Sequence, residues 1–118
     1  MTQQNDYTAA GRDLLAKAHE ELAQGDVRQA SEKGWGAAAQ MVNAIAVVRG
    51  WEHNGHALLF QTVRRLAEET GDEQIALLFQ VANSLHSNFS ENWLPEGTVR
   101  SSLANVDELV DKLEQLLD

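Results

Sequence analysis

Apolar residues recur along this chain at spacings of three and four, which is the period of an amphipathic α-helix. No segment alternates with the period of two that is typical of a β-strand. Glycine, aspartate and threonine residues separate the helical segments and supply capping groups for their ends. The predicted helices extend from a cap at Asp6 or Thr8 to about Gln24, then over 27–49, 56–70 and 73–90, and from Thr98 onwards.

The second predicted helix is the most apolar segment of the chain. After Trp35 almost every position is alanine or another apolar residue, up to Val48. A helix that is apolar on most faces lies at the centre of its bundle, and short connections make consecutive helices antiparallel neighbours. The sequence therefore predicts an all-α, up-and-down bundle of about five helices with a long, Ala-rich second helix at its centre. We expect one domain over residues 1–118, with an unstructured N-terminus over 1–6.

Composition narrows the classes of function. The chain has 118 residues and no cysteine, which removes disulfides, thiolate nucleophiles and Cys-ligated metal sites. Its 9 Lys and Arg against 18 Asp and Glu give a net charge of -9, which disfavours broad binding to nucleic acid. Glu68 and Glu69 follow Arg64-Arg65 by one turn, which predicts local ion pairs there. With no secretory signal and no apolar span of the ~20 residues that a membrane requires, we expect an acidic cytoplasmic protein without a cofactor.

The predicted topology brings several polar residues to one end of the bundle. The end of the second helix, the start of the third and the end of the fourth would meet there, with Arg49, His56 and His86. We expect His86 to be half-buried, because a half-buried imidazole held by an amide or carboxylate can act as an acid or base near neutral pH. The candidate catalytic residues are His86, His56 and Arg49, and the candidate ligand-binding residues are Glu32, His86 and Asn88.

These candidates also have a purely structural interpretation. Glu32, His86 and Asn88 can simply join the second helix to the fourth through hydrogen bonds. The histidines do not have the spacing of a metal site, since His53 and His56 lie on either side of a turn and no His-x-x-x-His or Glu-x-x-His pair is present. The sequence therefore predicts no metal site.

The number of large apolar residues predicts association of the chain with itself. Five helices around one small core leave little room for Trp35, Trp51 and Trp93 together, so we expect that not all three fit inside. An exposed apolar patch usually marks an interface. We therefore predict a two-fold homodimer that buries at least ~1,000 Å² in total.

Two segments of the chain resemble a known family. Residues 29–38, QASEKGWGAA, are similar to the QASEK-x-W-x-A opening of the PaREP-type proteins, which are small and helical. Residues 85–91, LHSNFSE, resemble their LH-x-NFYE segment and differ at Ser90, where the family has tyrosine. The turn over 50–56 and the EETGD sequence before the fourth helix also fit, so the resemblance covers residues from about 9 to 117.

The resemblance implies more about the fold than about a reaction. PaREP-type proteins are placed near the HEPN superfamily of helical, usually homodimeric domains. This implies a HEPN-like dimer that binds a nucleotide-like ligand or a protein partner, such as a nucleotidyltransferase. Many HEPN domains are metal-independent RNases of toxin–antitoxin pairs, with an arginine followed after four to six residues by histidine. Only Arg49 and His56 have that spacing here, in a turn rather than in the last helix, so an RNase or other hydrolase using His86 or His56 with Arg49 is an alternative, and a purely structural partner subunit is another.

Overall fold

The chain folds into a bundle of five α-helices, seen here in a computed structural model that describes residues 2–117. These residues contain no β-strand, so the predicted all-α fold is confirmed. None of the helices within them is both long and apolar enough to cross a membrane. The helices are α1 Gln3–Ala23, α2 Val27–Arg49, α3 His56–Thr70, α4 Gln74–Glu91 and α5 Glu96–Leu117.

The starts of two helices differ from the prediction. α1 begins at Gln3, because the hydroxyl oxygen of Thr2 accepts a backbone N–H of the first turn at 3.1 Å. The prediction of an unstructured stretch over 1–6 is therefore wrong for residues 2–6, which form the cap and first turn of α1, and Met1 lies outside the described residues. α5 begins at Glu96 directly after Pro95, whose fixed φ is compatible with a helix start. The residues next to each helix start, Thr2 and Pro95, explain why the observed starts differ from the predicted ones. All five segments were predicted correctly as helices.

α2 lies at the centre of the bundle, as predicted, and contacts all four other helices. Met41 and Ile45 are fully buried on it, and Gly34 allows α4 and α5 to approach closely. A Cβ atom added at Gly34 would lie 2.5 Å from a methyl group of Leu103 on α5 and 3.1 Å from one of Leu85 on α4. The close packing of α2 therefore depends on a residue without a side chain at this position.

Three of the four connections reverse the chain direction. α1 and α2 are antiparallel, since Lys33 pairs with Glu21 at 3.0 Å near the turn and Met41 lies against Gly11 farther along. α4 is antiparallel to both α3 and α5. These pairs follow the predicted alternation of helices joined by short connections.

The connection between α2 and α3 departs from that alternation. Trp35, in the first half of α2, lies beside His56 at the start of α3, with ring centroids 5.2 Å apart. Arg49, the last residue of α2, pairs at 2.8 Å with Glu69 near the end of α3. Two contacts in this order mean that α3 runs in the same general direction as α2. The prediction that the end of α2 and the start of α3 share one end of the bundle is therefore wrong.

The physical reason is the irregular segment 51–55. Gly50 ends α2 in the left-handed region with φ 72°, and the following residues then run back along α2. The backbone N–H of Asn54 donates to the side-chain oxygen of Asn43, in the middle of α2, at 3.4 Å. The hydroxyl of Tyr7 on α1 donates to the side-chain oxygen of Asn54 at 3.1 Å. The segment thus returns the chain toward the first half of α2 before α3 begins.

The three tryptophans differ in burial. Trp35 is 9% exposed, Trp51 is half-buried and Trp93 is 70% exposed, which confirms that they do not all fit inside. Among the described residues, only Val48 and Leu77 are other large apolar side chains with comparable exposure. The surplus apolar surface is therefore smaller than the sequence suggests and is concentrated in a few positions.

Replacement of Gly34 by alanine tests the close packing of α2. The added methyl group must displace the buried Leu103 side chain, and such overpacking costs more than the ~1 kcal/mol that alanine gains in a helix. We expect Gly34→Ala to lower the free energy of unfolding by about 1 kcal/mol in chemical denaturation. Gly97→Ala is the control, because a Cβ there meets no atom within 4 Å, and we expect it to be neutral or stabilising. A stabilising Gly34→Ala would contradict the close contact.

The ion pair between Asp72 and Lys112 predicts a dependence of stability on pH. The hydrogen bond from the Lys112 ammonium, 2.8 Å long, lowers the pKa of the Asp72 carboxyl below its usual value of about 4. Since the pKa is lower in the folded chain than in the unfolded chain, the stabilisation is present above about pH 4 and is lost as the pH falls through the lower folded-state pKa. We expect the melting temperature of Asp72→Asn to depend less steeply on pH than that of the original protein below about pH 4. Parallel curves for the two proteins would show that the pair contributes nothing.

Candidate functional site

A cluster of five aromatic and imidazole rings joins α2, α3 and α4, and we call it the aromatic cluster. The indole of Trp35 is at its centre, with ring centroids 5.0 Å from His86, 5.2 Å from His56 and 5.4 Å from Phe79. The two imidazoles are 5.4 Å apart, and their planes are inclined by 34°. Phe60 lies 5.4 Å from His56 and 4.9 Å from Phe79, in an edge-to-face contact with the latter. The predicted proximity of His56 and His86 is therefore confirmed.

The cluster is buried on one side and open to solvent on the other. Phe79 is fully buried beneath Trp35, whereas both imidazoles are exposed. His86 was predicted to be half-buried. It is exposed because the neighbouring Leu85 occupies the inward position on α4, so that His86 lies at the edge of the helix. Within the described residues neither imidazole makes a hydrogen bond, so their ring nitrogens are available to a binding partner.

Asn88 has a different environment from His86, although both are near the end of α4. Its side chain is fully buried, and its amide nitrogen donates to the hydroxyl of Ser31 on α2 at 2.9 Å. Its amide oxygen accepts the backbone N–H groups of Trp93 at 2.8 Å and Leu94 at 2.7 Å. These bonds fix the α4–α5 connection against α2. Of the two interpretations that the sequence allowed for Asn88, ligand binding or a structural role, these hydrogen bonds support the structural role.

Glu32 and Arg49 lie at different ends of α2. Glu32 is exposed and is one turn before Trp35, so it lies at the same end of the bundle as the aromatic cluster. Arg49 is separated from Trp35 by about 21 Å of helix rise. The sequence prediction that Arg49 and His56 lie at the same end is therefore wrong, because the return segment carries His56 away from the end of α2. Arg49 instead pairs with Glu69.

The structure adds two features that the sequence did not single out. The guanidinium group of Arg28 at the start of α2 lies 5.2 Å from the ring centroid of Phe89, and its Nε donates to the carbonyl of the same residue. Trp93 follows at the start of the α4–α5 connection and is largely exposed. Phe89 is one helical turn after His86, a spacing that could have indicated a shared side of α4. We call the exposed part of this end the aromatic end surface, formed by Arg28, His56, His86, Phe89 and Trp93.

Acidic and imidazole side chains of the described residues are not grouped as a metal centre requires. Within residues 2–117 no group of three or more such side chains is positioned to hold a metal ion. The chain also contains no cysteine to serve as a ligand. What the arrangement offers chemically is a set of flat rings, two open imidazoles and one guanidinium group, which are groups suited to binding.

Comparison with known proteins places this five-helix protein in a family. The archaeal PaREP1/PaREP8 family matches residues 6–110, and the chain belongs to this family, as the resemblance of residues 29–38 and 85–91 indicated. A crystal structure of a protein from Sulfolobus solfataricus is similar, with a TM-score of 0.83 and 24% sequence identity. The match covers 92% of this chain and 97% of that protein, and it shows a common fold. A comparison with curated proteins finds no match.

Alanine substitutions of Asn88 and His86 test whether each residue contributes to the stability of the fold. Asn88→Ala removes three hydrogen bonds and leaves buried polar groups without partners, so we expect a loss of about 2–4 kcal/mol in the free energy of unfolding. His86→Ala removes an exposed ring, and we expect a loss below about 1 kcal/mol. Urea denaturation followed by circular dichroism measures both. Equal losses for the two variants would mean that His86 is also a structural residue.

Proposed function

We propose that this protein is a HEPN-like interaction module without catalytic activity, which forms a homodimer through the aromatic end surface and acts in the cytoplasm. The observation that carries the proposal is the exposure of two imidazoles and an indole, His56, His86 and Trp93, at one end of the bundle. Aromatic side chains and arginine are enriched at protein interfaces and at the positions that contribute most to binding. Elsewhere in residues 2–117, the ring contacts are limited to the single pair of Tyr7 and His53.

A second copy of the chain suits this surface because the surface is complementary to itself. In a two-fold dimer the same patch faces its own image, so a projecting group must find its receptor on the same patch. Trp93 is a projecting indole, and the exposed rings of His56 and His86, which are inclined to each other by 34°, are the groups of the same patch that can receive it. Edge or offset contacts between such rings are favourable beyond the area they bury.

The charges at this end support the same occupant. Arg28 and Glu32 lie four positions apart on α2, yet they are not paired within the described residues, since the guanidinium group lies on Phe89. Opposite charges on one patch can pair across a two-fold axis, from one copy to the other. A basic partner would meet Arg28, and an acidic partner would meet Glu32, so neither uses both charges as well as a second copy does.

Other binding partners would use fewer groups of the aromatic end surface than a second copy of the chain does. A nucleotide-like ligand could stack on the imidazoles and bind its phosphate to Arg28, and a nucleotidyltransferase could cover the patch as a partner protein. An RNase or other hydrolase has less support. The arginine that its motif requires, Arg49, is about 21 Å of helix rise away from the level of the imidazoles.

The proposed dimer is tested by measuring the molecular mass in solution, for the original protein and for one variant at each end of the molecule. We expect light scattering at tens of micromolar to give twice the chain mass of 13.0 kDa. Trp93→Ser should weaken the dimer by about 30-fold, the effect of losing a central interface residue. Leu77→Ser is the matched control, because Leu77 is 53% exposed near the start of α4, at the opposite end of that helix, and its loss should leave the dimer unchanged.

A charge exchange tests the pairing across the axis. Arg28→Glu and Glu32→Arg should each weaken the dimer through repulsion of like charges, and the double variant should recover most of the affinity. A monomer at tens of micromolar would refute the dimer. A monomer whose melting temperature rises with added nucleoside monophosphate would favour the nucleotide-like ligand instead, and weakening by Leu77→Ser alone would assign the interface to the other end.

A further inference from the structure

A second surface feature lies on α3, away from the aromatic end surface. The start of the return segment and the outer side of α3 enclose a cleft of about 300 Å³. Trp51 and Glu52 line one side of it, and Leu58, Gln61 and Arg65 line the other. Its volume is at the lower limit of the range for small-molecule sites, ~300–1,000 Å³, so its occupant must be small.

Arg65 is unusual among the cations of this acidic protein. Seven of the nine Lys and Arg side chains lie within 4.0 Å of a carboxylate in the described part of the chain. The two that do not, Arg28 and Arg65, lie over aromatic rings instead. The predicted pairing of Arg64-Arg65 with the glutamates one turn on is wrong, because Arg64 pairs with Glu73 at 2.9 Å and Arg65 turns toward Trp51.

The contact between Arg65 and Trp51 leaves the hydrogen-bonding groups of the arginine available. The guanidinium carbon lies 3.8 Å from the ring centroid of Trp51, which is a close face contact. Stacking on a ring fixes the plane of the guanidinium group, while its N–H donors point outward in that plane. In the described residues these donors meet no carboxylate, although the chain has twice as many acidic as basic side chains. A planar cation held in this way is arranged for a carboxylate that comes from outside the chain.

We propose that this cleft binds a small aromatic carboxylate. The flat ring of the ligand packs against the half-buried indole of Trp51 and the side chain of Leu58, and its carboxylate accepts hydrogen bonds from Arg65. The apolar groups of Trp51 and Leu58 would supply contact area, and the Arg65 guanidinium group would fix the orientation of the ligand, as placed polar groups do in small-molecule sites. Gln61, which is exposed at the edge of the cleft, offers a further amide donor.

Glu52 provides a second test of the proposal, because its negative charge should lower the affinity of the cleft for a carboxylate. Its carboxylate also lines the cleft, and it is exposed without an ion-pair partner among the described residues. It repels an anionic ligand, so its removal must strengthen binding of a carboxylate while removal of Arg65 must weaken it. Opposite effects of two neighbouring substitutions are a signature that a general loss of stability cannot produce.

The experiment compares two probes of nearly the same shape, 2-naphthoate and the neutral 2-naphthalenemethanol, by NMR titration of the intact chain. We expect 2-naphthoate to bind at least about tenfold more tightly, because a charge-assisted hydrogen bond is lost in the alcohol. Arg65→Gln should remove that preference, and Glu52→Gln should tighten 2-naphthoate by a few-fold. Arg64→Gln is the matched control, since it removes the adjacent arginine, which is paired with Glu73, and should leave the affinity within about twofold.

Three results would overturn the proposal. They are no binding of 2-naphthoate at millimolar concentration, equal binding of the acid and the alcohol, and equal weakening by Arg64→Gln and Arg65→Gln. The proposal does not depend on dimer formation, because no residue of the aromatic end surface lines the cleft. Failure of one proposal therefore leaves the other to be judged by its own experiment.

Discussion

Burial of α2 on nearly every face is the constraint on which the rest of this structure depends. A helix with four neighbours cannot carry large side chains everywhere, and this one has alanines along its length and Gly34 where α4 and α5 approach most closely. Its few large residues, among them Trp35 and Met41, then fill the spaces that the small ones leave. Because the aromatic cluster is built on Trp35, the same packing that stabilises the bundle also positions the rings at its surface.

The local period of the sequence predicted the helices well and their directions less well. Gly25, Gly71 and Asp72 mark real helix ends, because capping and left-handed conformations are properties of a few adjacent residues. The direction of α3 is not a local property. It depends on the hydrogen bond from Asn54 to Asn43 and on contacts of the return segment with α1. Periodicity carries no information about such contacts, so the assumption that a short connection reverses the chain failed here.

The candidate site was predictable to the extent that it follows from α4. The end of α4 was predicted to meet the start of α3, and His86 does lie beside His56. The end of α4 was also predicted to meet the end of α2, which is wrong, because the structure brings His86 and Asn88 against the first half of α2. Their roles could not be separated from the sequence, because burial of one and exposure of the other depends on rotation about the helix axis. The contact of Arg28 with Phe89 joins residues far apart in the chain, and neither belongs to a chemical motif. Only the packing of α2 against α4 brings them together.

The return segment 51–55 links the two surfaces of the molecule. With a tight turn in its place, α3 would run antiparallel to α2, and His56 would lie beside Arg49. The segment instead carries His56 back to Trp35 and His86, and it leaves Trp51 against α3, where Arg65 stacks on it. One departure from simple helix alternation therefore separates the arginine and histidine of an RNase-like motif, places the paired imidazoles of α3 and α4 beside Trp35, and creates the cleft. The chemistry available to this protein is decided more by those few residues than by the five helices that they connect.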